Sequence, residues 1–186
     1  MQLTLLDHLR LTFGHVVYRH RAHSHLARSL ARWSRRLRAA EALWMVAVAY
    51  TAGAAAFNKG QSYAIASAIL AGLALVTLLV HLTIDLDVPA QTHSVCAGRL
   101  WLIRERYRAL MTDLVDGGVD LDGARRGRDE LMNELHAIYE RAAMVDHEAY
   151  KSAAQAVAAL DDVSLTDEEI DLFLPKSLHK SSQSAA

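Results

Sequence analysis

The chain has 186 residues, 52% hydrophobic and 22% charged, with 20 basic side chains against 21 acidic ones. Those averages would suit one soluble domain, yet they conceal two uncharged apolar runs and a sharp division of charge along the chain. The lone cysteine, Cys96, excludes an intrachain disulfide and fits a reducing compartment; no signal peptide is expected ahead of the first apolar run.

Up to residue 38 there are eight Arg, no Lys and a single acid, Asp7. Leu26, Leu30, Trp33 and Leu37 are spaced 4-3-4, so residues 1–38 read as an Arg-rich amphipathic helical segment. Arg28, Arg32, Arg35, Arg36 and Arg38 would lie on the membrane surface, where each basic side chain is worth about 1 kcal/mol beside anionic lipid. Nucleic acid could use the same cluster, but positive-inside topology already explains the arginines, and no nucleic-acid partner is expected. His20-x-x-His23, with His15 and His25 nearby, has no carboxylate or thiol partner in that segment beyond Asp7, so no metal site is expected there.

Residues 39–86 read as a transmembrane hairpin. Ala42 to Phe57 and Tyr63 to Ile84 contain no Asp, Glu, Lys or Arg. The second run has 22 residues, enough at roughly 1.5 Å per residue to cross a hydrocarbon core of about 30 Å. The link Asn58-Lys59-Gly60-Gln61-Ser62 is short enough to force an antiparallel turn. The first run is shorter and alanine-rich, so Ala39 and Ala40 are drawn in or the bilayer thins locally. Ala49-x-x-x-Gly53 and Ala68-x-x-x-Gly72 supply small faces, read either as oligomer contacts or as packing between the two helices of one chain.

Glu41 and His81 each stand 20 residues from Gln61, so an antiparallel hairpin brings them to the same depth. A salt bridge, a proton-sensitive latch, a pore-mouth ring or simple snorkelling to the interface all fit such a pair. Ser67, Thr77 and Thr83 could face a polar path or bond back to their own helix; Ser67 and Thr77 with Glu41 and His81 are the candidate pore-lining or gate residues. The arginines crowd the entrance of the first span and the loop carries only Lys59, which places both termini in the cytoplasm.

Residues 87–175 read as a cytoplasmic helical or coiled-coil region. Cys96, Leu100, Ile103, Tyr107, Leu110 and Leu114 are spaced 4-3-4-3-4, and Leu131, Leu135, Ile138, Ala142 and Val145 are spaced 4-3-4-3; each is one apolar edge of a helix. Val88-Pro89 is expected to break the chain after the second span, and Asp116-Gly117-Gly118 to end the following helix. Further helices are expected over residues 124–141 and 147–160. Thr166-Asp167-Glu168-Glu169 is a capping box opening a short helix that stops at Pro175, and residues 176–186 read as a disordered tail. No alternating pattern persists, so the fold class is an all-α membrane protein: an N-terminal amphipathic helix, a two-helix hairpin and a cytoplasmic bundle. Phosphate loops, nucleophile elbows and HExxH motifs are absent from the sequence. Cys96 and His93 lack an orienting third group, so neither an enzyme nor a cofactor is expected.

An Arg-rich front, a tight two-span hairpin and a helical tail resemble the plan of the SMODS and SLOG-associating two-transmembrane effector domain (SLATT) superfamily. The tail carries the more specific likeness: Arg104-Glu105-Arg106-Tyr107-Arg108-Ala109-Leu110 resembles the family's helix after the membrane. Asp129-Glu130-Leu131 with Leu135-His136-Ala137-Ile138-Tyr139-Glu140 resembles its next helix, and Tyr150-Lys151-Ser152-Ala153 the start of its last. The likeness covers residues 18–160. It implies a membrane effector of a bacterial conflict system, expected to form a homo-oligomeric pore in the inner membrane. It also implies a sensor or nucleotidyltransferase partner encoded nearby and a nucleotide second messenger as trigger. A membrane-tethered adaptor that docks a partner without a pore is the alternative.

Overall fold

The computed structural model describes residues 4–57, 61–144 and 165–180, with the backbone alone for 141–144. Five α-helices occur there: α1 (Leu5–Ala56), α2 (Gln61–Thr83), α3 (Asp87–Val115), α4 (Leu121–Met144) and α5 (Asp167–Asp171), followed by a 3-10 turn at Lys176–Leu178. No strand occurs among the described residues. The expected helix over 147–160, the Val145 end of the α4 stripe, Tyr150 to Ala153 and residues 181–186 lie outside them. So do Asn58 to Gly60 of the link.

The chain divides into two compact units, residues 28–90 and residues 1–27 with 91–186. The expected boundary between an amphipathic segment and the first span is not a break: α1 runs through residues 38 and 39 without interruption. The reason is local. Arg35 to Met45 is a run of Arg, Ala, Leu, Glu, Trp and Met, mostly strong helix formers, and from Gly14 onward no Gly or Pro intervenes before Gly53.

The unit of residues 28–90 holds the rest of α1, α2 and the first turn of α3. Its large apolar side chains point outward: Leu43 is 70% exposed and Leu82 72%, and α2 buries none of its residues. Both α1 and α2 are long and apolar enough to cross a membrane, and a bilayer is what would cover such a surface. The stripe Leu26-Leu30-Trp33-Leu37 is corrected here. Trp33 is exposed, lying under the Arg36 guanidinium at 5.6 Å, while Ser34 is fully buried; the small hydroxyl residue, hydrogen-bonded to Asp87, takes the inward position that a large apolar residue was expected to fill. The break after α2 also falls earlier than Val88-Pro89, at residues 84–86. Asp85 Oδ1 accepts the N–H groups of Asp87 and Val88 at 3.0 and 3.3 Å, donors a helix start leaves open. Pro89 sits in the first turn of α3, where its missing N–H costs nothing.

The other unit is a helical bundle built from the front of α1, α3, α4 and the C-terminal segment. Leu9, Phe13, Val16 and Val17 of α1 join Cys96, Leu100, Ile103, Tyr107 and Met111 of α3, Leu131 of α4 and Ile170, Leu174 and Leu178 in one core. After Tyr107 the α3 stripe steps four residues to Met111 rather than three to Leu110, so Leu110 and Leu114 are only partly buried. α3 ends as its Asp-Gly-Gly sequence requires. Gly117 takes φ +74°, and Gly118 N–H reaches back to the Asp113 carbonyl at 2.8 Å, closing a Schellman turn. α4 starts at Leu121, three residues before the expected Ala124, because Asp120 Oδ1 accepts the Gly123 N–H at 2.8 Å. The Thr166–Glu169 capping box forms with both of its bonds in place. The expected disordered tail is corrected for its first residues: Lys176–Leu178 is a 3-10 turn, and Leu178 is buried in the core beside Arg10.

Candidate functional site: the hairpin and its polar base

Within residues 28–90, the apolar arms of α1 and α2 meet polar partners at one end. His81 Nδ1 donates to Glu41 Oε1 at 2.8 Å, each side chain about a quarter or less exposed. The equal distance of the two residues from Gln61 is thus matched by direct contact. Two helical turns nearer the front of α1, Ser34 Oγ donates to Asp87 Oδ1 at 2.7 Å. Arg38 Nη2 donates to Asp87 Oδ1 at 2.7 Å and to Oδ2 at 2.5 Å, and also reaches Ser34 Oγ at 2.7 Å. The Ser34 hydroxyl first, then the Arg38 cation, hold the Asp87 carboxyl below its ordinary value.

The Ser34–Arg38–Asp87 cluster has no counterpart among the expected contacts, and Arg38, expected on the membrane surface, is half exposed while it pairs with Asp87. The signal was available: counted from Gln61, Arg38 and Asp87 lie 23 and 26 residues away, the same arithmetic that pairs Glu41 with His81. Arg28, Arg32, Arg35 and Arg36 are exposed.

The remaining candidates separate. Thr77 Oγ1 donates to its own helix at Leu73 O, 2.9 Å away, so its proton is committed to the backbone. Ser67 is half-buried on the same helix. A Cβ placed on Gly53 or on Gly72 would meet no atom within 4 Å. The glycines of Ala49-x-x-x-Gly53 and Ala68-x-x-x-Gly72 therefore do not hold the two helices of one chain together among the described residues; Ala49 and Ala68 are likewise exposed.

In the bundle unit the histidines are structural partners. His20 Nδ1 donates to the Ala97 carbonyl at 2.9 Å. His23 and His93 face each other with Nδ1 atoms 2.9 Å apart, one donating to the other, and both are buried. Burial pushes His23 down to about 4, helped by His93, Arg19 and His20, so the imidazole is neutral at cellular pH. Arg19 lies 4.4 Å over the Tyr139 ring. No three His, Cys, Asp or Glu converge to hold a metal ion among the described residues. Burial pushes the Cys96 thiol up to about 11 and the Tyr107 phenol up to about 12. Neither group is poised for nucleophilic chemistry.

A family model described as SMODS and SLOG-associating 2TM effector domain family 4 matches residues 5–169. No curated protein and no solved structure matches the chain. The match takes in both apolar helices, the polar base of the hairpin, α3, α4 and the capping box at Thr166.

Proposed function

We infer that this chain, which belongs to the SMODS and SLOG-associating 2TM effector domain family, is a membrane effector that oligomerises and opens a pore in the bacterial inner membrane. The observation that carries the reading is the open small-residue face of each span. A Cβ on Gly53 or Gly72 would meet no atom within 4 Å among the described residues, and glycine or alanine at four-residue spacing is what lets a second membrane helix approach closely. Lipid would fill such a notch poorly; the corresponding helix of another copy fills it well. The Glu41–His81 pair then becomes a polar ring repeated at one membrane boundary, and the path carries the Ser67 hydroxyl and the Thr77 oxygen, the latter as an acceptor only.

Arg28, Arg32, Arg35 and Arg36 hold the front of the hairpin to the anionic inner leaflet, and both termini face the cytoplasm. The reading is non-enzymatic: conducting ions needs no bond to be made. A SMODS- or SLOG-type partner supplies the trigger, with a nucleotide as its messenger.

The test is to express the full chain with its neighbouring genes, apply the trigger, and follow membrane potential and entry of an impermeant dye. Depolarisation with dye entry, abolished by Gly53→Leu with Gly72→Leu, is the expected result; an intact potential under full activation overturns pore formation. The adaptor reading is favoured by Val95, Trp101 and Leu102, exposed on α3. Exchanging the hairpin for an unrelated two-span anchor separates the two: an adaptor keeps its activity and a pore loses it.

A further inference from the structure

The bundle unit closes with a segment that cannot hold its own shape. α5 has five residues and the 3-10 turn after it three, far below the length at which an isolated helix persists. Residues 165–180 are ordered because they dock on the front of α1. Ile170, Leu174 and Leu178, spaced four residues apart, are buried with Leu9, Phe13, Val16 and Val17. A Cβ on Gly14 would stand 3.0 Å from Ile170 Cγ1 and 3.0 Å from Leu165 Cδ1, so this glycine is a notch into which the segment fits. The Arg21 guanidinium covers the Phe173 ring at 4.3 Å.

Charge sets the register of the contact. Arg10 is 1% exposed. Its Nη1 donates to the Leu178 carbonyl, and its Nη2 donates to Asp171 Oδ1 at 2.6 Å and lies 3.6 Å from Asp167 Oδ1. Its Nε, also buried, has no partner among the described residues. Lys180 Nζ lies 2.7 Å from Asp167 Oδ2 and 3.7 Å from Asp7 Oδ1. Burying a guanidinium is expensive, and its partners offset that cost without adding much beyond it. When the segment leaves, Arg10 regains water and Asp167, Asp171 and Lys180 do the same. The docked and released states are therefore close in free energy on the polar side, and the apolar side rests on only a few buried side chains.

We propose that residues 165–180 are an autoinhibitory clasp, keyed by Arg10 against Asp171 and Asp167 and seated on the Gly14 notch, whose release switches the effector on. The inference rests on the effector reading above. Release bares the Gly14 notch and the apolar Ile170, Leu174 and Leu178 side chains, together with the Arg10 charge. It is a two-state element that a trigger needs only to bias.

The test uses the full chain in membranes and in cells under an inducible promoter. Gly14→Leu fills the notch, leaves every charge with its partner chemistry, and replaces the poorest ordinary helix former in α1 by a good one. It is expected to raise hydrogen exchange of residues 165–180 at least tenfold. It should also arrest growth and depolarise cells at an expression level where the unaltered chain, without its trigger, is silent. Should Gly14→Leu lose helix content, the chain ending at residue 164 is put through the growth and potential assays in its place, with the same expectation. The proposal falls if the segment stays protected in Gly14→Leu. It also falls if release leaves cells silent while the unaltered chain still responds to its trigger; the effector reading then stands and the clasp is only structural. An unaltered chain that never affects the membrane, trigger included, ends both.

Discussion

Acid should weaken the bundle through one residue. His23 sits at about 4 in the folded chain against 6.5 for an unburied imidazole, because burial and the facing His93 refuse it a proton. Above pH 6.5 both folded and unfolded chains carry His23 neutral, and the group is silent. Between 6.5 and 4 the unfolded chain takes up a proton that the folded chain does not, so stability falls with decreasing pH by about 1.4 kcal/mol per unit. Below 4 the loss is complete, at about 3 kcal/mol. For a bundle of this size that corresponds to a drop of roughly 10–20 °C in Tm. Thermal unfolding of the detergent-solubilised chain, followed by circular dichroism from pH 7.5 to 4, measures it. His23→Gln removes the titration and should flatten the curve over this window, leaving only the later losses from carboxylates such as Asp87, whose depressed values place their effect at lower pH. Equal acid slopes for His23→Gln and the unaltered chain would refute the reasoning.

Three further outcomes follow from the geometry. Phe13→Ala empties a position that is 1% exposed and should cost about 3–5 kcal/mol, read as loss of the bundle's cooperative transition. Gly117→Ala forces a side chain onto φ +74° and should destabilise the α3–α4 turn by about 1 kcal/mol without affecting membrane insertion; a neutral result would mean that the turn relaxes. Glu41→Lys, if this side chain rings a pore mouth, should move the reversal potential of reconstituted channels under a salt gradient toward anions. An unchanged selectivity places Glu41 outside the conduction path.

The parts of the fold that sequence reveals are those governed by local chemistry. The Asp116-Gly117-Gly118 stop and the Thr166 capping box need only near neighbours, and both formed where their residues stand. The Glu41–His81 contact needed one long-range assumption, an antiparallel hairpin, and counting residues from Gln61 supplied the rest. Legibility failed where partners are remote in sequence. The apolar face Leu9-Phe13-Val16-Val17 is interleaved with His8, Arg10, His15 and Arg19, which mask its period. Leu178 reads as tail because serine and lysine surround it, while the side chain that orders it, Arg10, lies 168 residues earlier. The inward position of Ser34 was hidden for the same reason: its partner Asp87 is 53 residues away. A heptad stripe names the face of a helix that wants cover, but it does not say whether a small hydroxyl will be preferred where two backbones come close.

Cys96 has a practical consequence. It is the chain's only sulfhydryl, it is buried, and its pKa is raised to about 11, which leaves it almost wholly protonated and shielded at neutral pH. The native polypeptide is therefore already a quiet background for maleimide dyes and nitroxide spin labels. A single new cysteine, placed on an exposed turn or along α2, would carry the sole reporter, and distances between labelled copies could be followed in lipid without first removing a residue from the core.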